Sequence, residues 1–112
     1  MQNVIPSKIP FYKLELKICK NYHDFLSFIE EEIRKDSFCG FKIKKREETV
    51  YFSYTTQGSM FFRPKFEVRI KIKKTDDINF HLTMKGKYTS YGYQTPERYI
   101  NKLLLKILSS RF

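Results

Sequence analysis

Between Lys65 and Lys73 the chain alternates without interruption: Phe66, Val68, Ile70 and Ile72 fall on one phase, and Lys65, Glu67, Arg69, Lys71 and Lys73 on the other. A period of two puts the apolar set on one face of an extended strand and the charged set on the opposite face. A strand of this kind buries one side and wets the other, so the sheet that contains it is covered on one face only. Other stretches obey the same rule. Tyr12, Leu14, Leu16 and Ile18 alternate with Lys13, Glu15 and Lys17; Phe41 and Ile43 alternate with Lys42 and Lys44. Val50, Phe52 and Tyr54 alternate with Tyr51 and Ser53, and Ile78, Phe80, Leu82 and Met84 with Asn79, His81, Thr83 and Lys85. Residues 46–49 and then Thr75, Asp76 and Asp77 supply polar turns, while Gln57, Gly58 and Ser59 open a longer loop.

Two segments switch to a helical period. Asn21 is placed to cap a helix in which Tyr22, Phe25, Leu26, Ile29 and Ile33 share one side, ending near Asp36. Thr95 and Pro96 open a second helix, with a stripe of Ile100, Leu103, Leu104, Ile107 and Leu108. The order is strand, helix, four strands, helix. It predicts an α+β fold, an antiparallel sheet with two helices packed on one face and the opposite face open and basic. A chain of 112 residues has room for one core. Residues 11–112 are therefore read as a single domain, and residues 1–10, with Pro6 and Pro10, as an extended arm.

Lys and Arg number 22 against 12 Asp and Glu, a net charge of +10. That balance favours an anionic partner: acidic phospholipid, nucleic acid or an acidic protein surface. The competing explanation is compositional, since a chain without alanine and rich in Lys, Ile, Phe, Tyr and Asn reflects an A/T-rich genome. Clustering separates the two. Lys42, Lys44, Arg69, Lys71, Lys73, Lys85 and Lys87 all take the outward phase of successive strands, which composition alone does not produce.

No apolar run is long enough for a membrane span, and the N-terminus lacks the layout of a secretory signal, so an intracellular chain is expected. Cys19 and Cys39 are read as buried thiols, with a single disulfide as the alternative. There is no Gly-rich phosphate loop and no paired Cys clusters. The two histidines, His23 and His81, belong to no catalytic motif. The expectation is a non-catalytic domain without cofactor or metal.

Met60, Phe61, Phe62, Arg63, Pro64 and Lys65 place apolar bulk beside cations in a loop. Phe61 and Phe62 are candidates to dip into a lipid interface, with core capping as the alternative for Met60 and Phe62. Tyr88, Tyr91 and Tyr93 crowd the loop before the last helix, where packing of the helix entry is the simpler role and stacking on bases the alternative.

The segments Tyr22–Lys35, Phe41–Lys45, Val50–Tyr54, Phe66–Lys74, Ile78–Lys87 and Glu97–Lys106, in this order, resemble the type-one kinase-associated domain at the C-terminal end of serine/threonine kinases. Within that family the similarity is to members such as the checkpoint and septin-associated kinases. The resemblance implies a regulatory module that binds acidic phospholipids or restrains its kinase catalytic domain in cis. Its basic surface would correspond to Lys65, Arg69, Lys71, Lys73, Lys85, Lys87 and Arg98; Arg63, in the loop before Lys65, is a further candidate contact to acidic lipid or an acidic partner. The expected setting is the cytoplasm with peripheral membrane association, or the nucleus, with the domain as a monomer. A binder of the nucleic-acid phosphate backbone through the basic sheet is the alternative. A helix-grip carrier of apolar ligands is disfavoured by the bulk of Phe52, Phe66, Phe80 and Leu104.

Overall fold

The computed structural model describes residues 11–57, 65–88 and 96–110. The elements are β1 (Phe11–Ile18), α1 (Tyr22–Asp36), β2 (Ser37–Arg46), β3 (Thr49–Gln57), β4 (Lys65–Asp76), β5 (Asn79–Tyr88) and α2 (Pro96–Ser109). The strands form one antiparallel sheet in the order β1-β5-β4-β3-β2. Strands β2 to β5 form a meander of hairpins, and β1 closes onto β5, which makes β1 and β2 the two edges.

Both helices cover the same face. In α1, the Asn21 side chain accepts the Asp24 N–H at 2.9 Å, so the period-3.6 stripe starts where a capping residue satisfies the first free donors. The buried residues of that stripe are Tyr22, Phe25, Ile29 and Ile33, with the Phe25 ring 4.5 Å from Phe80 of β5. In α2 the buried set is Pro96, Tyr99, Ile100, Leu103 and Ile107. Gly86 of β5 lets this helix approach: a Cβ there would sit 2.7 Å from the Pro96 Cβ and 3.2 Å from Ile100 Cδ1. Beneath the helices, Val68, Ile70, Ile72, Phe80, Leu82 and Met84 are buried. Each such side chain stabilises by roughly 1.5–3 kcal/mol. The exposed Arg34–Glu30 pair on α1 is worth about 0.3–0.5 kcal/mol, so apolar burial holds the two layers together.

One polar chain crosses the core. Tyr54 of β3 and Tyr99 of α2 share a hydroxyl hydrogen bond of 2.5 Å, and the Tyr99 hydroxyl donates to Asp36 Oδ2 at 2.8 Å. It ties the central sheet to the end of α1 and the start of α2. Burial, reinforced by the Asp36 charge, pushes both phenols above their ordinary range.

Several expectations need correction. Ile78 is not inward: Asp77 and Ile78 form the hairpin turn, the Asp76 carboxylate accepts the Ile78 N–H at 2.9 Å, and Ile78 is 54% exposed. Leu108 is 51% exposed because it lies 100° beyond Ile107 on the helix, past the side chains that touch the sheet. Cys19 is exposed, since it follows the buried Ile18 and takes the outward phase as the chain leaves β1. The β2–β3 turn is only Glu47 and Glu48, with Arg46 paired to Thr49 and Glu47 in the left-handed region at φ 56°. β2 also begins earlier than Phe41, directly at Ser37. The 1–10 arm and the loop expectations at residues 58–64 and 89–95 lie outside the described residues, as do the side chains of Cys39 and Phe66.

Candidate anionic-surface site

Pairing register fixes what lies side by side on the uncovered face, because directly opposed residues share a face. One row across the sheet reads Lys17, His81, Lys73, Thr49, Arg46. The next reads Glu15, Thr83, Lys71, Tyr51, Lys44, and a third reads Lys13, Lys85, Arg69, Ser53, Lys42. A fourth begins Phe11, Lys87, Glu67, Thr55. Ten cations therefore share a face with two carboxylates, and all ten are exposed.

With strands about 4.8 Å apart and alternate residues about 6.8 Å apart, this patch is about 20 Å on a side. Neighbouring cations stand closer than the Debye length of ~8 Å in physiological salt, so their potentials add. The two carboxylates neutralise little: Lys13 meets Glu15 at 3.3 Å and Arg69 meets Glu67 at 3.5 Å. Among the described residues, the other eight cations of the face form no ion pair. The hydroxyls of Thr49, Tyr51, Ser53 and Thr83 lie between them as half-exposed donors.

The opposite side of the molecule is balanced. The two helices carry Asp24, Glu30, Glu31, Glu32, Asp36 and Glu97 against Arg34, Lys35, Arg98, Lys102 and Lys106. Glu32 joins the helices by accepting from Lys106 at 3.2 Å and Lys35 at 3.3 Å. Partial burial works to raise its pKa, but these two bonds prevail and hold its carboxyl below the usual range.

Of the residues singled out in the sequence, Lys42, Lys44, Arg69, Lys71, Lys73, Lys85 and Lys87 come together on the open face. Lys65 continues the same strand phase opposite Gln57. Arg98 does not join them: it projects from the first turn of α2 on the covered side. Phe61, Phe62 and Arg63 lie outside the described residues. Lys13, Lys17 and Arg46 were missed. Their strand phase was legible for β1, but its place beside β5 follows from sheet order, and Arg46 reads as turn until its pairing with Thr49 is seen. Among the described residues no group of three or more His, Cys, Asp or Glu is arranged to hold a metal ion, and no helix is long and apolar enough to cross a membrane. Comparison of the chain with protein-family models, curated proteins and solved structures found no match.

Proposed function

We propose that this chain is a non-catalytic regulatory domain that docks on acidic phospholipid through the open face of its sheet. The observation that carries the proposal is the register: ten exposed cations on one face against two carboxylates. They spread in two dimensions across the width of the sheet, on β1, β5, β4 and β2 with the hydroxyl-bearing residues of β3 between, which suits a layer of headgroups better than a single phosphate track. Attraction of about 1 kcal/mol per basic residue near an anionic leaflet sums to useful affinity without any pocket. The hydroxyls between the lysines supply neutral donors to phosphate oxygens. The aromatic rings described on this face, Tyr51 and His81, stand in different rows with β4 between their strands, so they offer no run of platforms on which successive bases could stack.

The resemblance to kinase-associated domains supports placing the module in the tail of a serine/threonine kinase, at the cytoplasmic side of a membrane. There the same face, when not on lipid, would meet acidic patches of the catalytic domain.

Co-sedimentation with phosphatidylserine and phosphoinositide vesicles tests the proposal, with neutral vesicles as control and duplex DNA as competitor. Replacing Arg69, Lys71 and Lys73 by Ser should reduce anionic-vesicle binding at least 10-fold with little change in the thermal midpoint, whereas replacing Lys102 and Lys106 should leave binding nearly intact. Equal losses from both sets would remove the face from the proposal. Indifference to vesicles with tight DNA binding would assign the face to nucleic acid.

A further inference from the structure

The two edges of the sheet differ in kind. β2 carries Lys42, Lys44, Lys45 and Arg46 and no carboxylate, so a second copy laid against it meets like charge wherever residues 42–46 overlap. β1 alternates Lys13, Glu15 and Lys17 on the open face, and among the described residues no strand pairs with its outer side. Half of its backbone N–H and C=O groups point outward.

A ledge of leucines runs beside this edge. α2 follows β1 in the same direction: Pro96 and Ile100 sit on Gly86, which is paired with Tyr12, and at the far end Lys20 donates to the Ser110 carbonyl at 3.0 Å. Tyr99 and Lys106 turn toward α1. At 100° per residue, Leu104 and Leu108 fall on the opposite flank, above β1, with Leu105 on the crest. Leu108 and Leu105 are 51% and 66% exposed, and Tyr12, Leu14 and Leu16 beneath them are only half-buried.

We propose that two copies of the chain pair antiparallel through β1 about a twofold axis at Leu14. Registers of an antiparallel pair step by two residues, which keeps every side chain on its own face. Centred on Leu14, Lys13 of each copy faces Glu15 of the other on the open side, and Tyr12 faces Leu16 on the helix side, over residues 11–17. Centred on Glu15, glutamate meets glutamate and Lys13 meets Lys17. Centred on Leu16, opposite charges meet again, but the overlap shrinks to residues 14–18. The charge order of β1 thus selects a self-complementary register, while that of β2 repels its own copy. The product is a continuous sheet of twice five strands, with the leucine ledges flanking the seam. This association does not depend on what the open face binds.

A short strand seam with a leucine margin is a small interface, so association on the order of micromolar affinity is expected, strengthened by salt that screens two chains of charge +10. Sedimentation velocity on the full chain, from micromolar to near-millimolar concentration and at low and high salt, should show the mass rising from 13.6 kDa toward twice that value. Glu15→Lys should weaken association about 10-fold or more, because it leaves β1 with cations alone. The exchanged pair Lys13→Glu with Glu15→Lys restores opposite charges in the same register and should restore the dimer. Glu15 is exposed, and circular dichroism of both variants should match the parent. A parent chain that stays monomeric throughout, a dimer indifferent to Glu15→Lys, or an exchange that fails to recover association would each overturn the proposal.

Discussion

The Thr56 hydroxyl is buried in the core and is the one buried side-chain polar atom among the described residues without a hydrogen-bond partner. An unpaired hydroxyl removed from water costs about 1–3 kcal/mol, and valine fills nearly the same volume. Thr56→Val should therefore raise stability by about 1 kcal/mol, read as an increased midpoint in urea. Tyr54 and Tyr99 make the opposite case, of buried polar atoms fully used. Their phenols hold their protons above the ordinary value of 10.0 in the folded state, whereas the unfolded chain releases them near it. Above about pH 10 the unfolded state thus binds fewer protons than the native state, and stability declines as pH rises. Thermal unfolding followed from pH 8 to 11 should fall more steeply for the parent than for Tyr54→Phe, which has one such proton fewer. The parent should also be the more stable of the two at neutral pH, where the relay is intact.

At the level of elements, the closest fit is between α2 and β5. A methyl group at Gly86 would press on the backbone-anchored Pro96 ring, so Gly86→Ala should destabilise by roughly 1–3 kcal/mol and lower the thermal midpoint. Nothing in the sequence around Gly86 announces that contact. What the sequence does expose is local. Period two in β4 and β5 and period 3.6 after Asn21 locate strands and helix because a side chain's face depends only on neighbours a few positions away. Ile78 and Leu108 mislead for the same reason: each continues a local pattern, but a two-residue turn lifts one off the sheet and the other falls beyond its reach. Tyr99, buried against Tyr54 and Asp36, escapes an apolar-stripe reading because its environment is assembled by three separate elements. The candidate face follows the same division. Lys71 and Lys73 are visible as an outward phase, but that they share rows with Lys44 and Lys17, and that Lys85 stands opposite Arg69 beside them, emerges only once the strand order is known.

For the molecule as a whole, attraction by many exposed cations is a screened interaction. Binding to anionic vesicles should weaken steeply between 50 mM and 300 mM salt, and substituting Lys13 and Lys17 should shift that curve much as substituting any other two cations of the face does; a curve set by one residue pair would point to a discrete pocket instead. The separation of charge has a consequence for approach as well as for affinity. With the open face strongly positive and the helical layer near neutral, the molecule behaves as an electric dipole roughly normal to its sheet. Near a negatively charged plane it experiences a torque before it touches, and tumbling is biased toward arrival sheet-first. The two helices then remain on the far side, turned to the solvent.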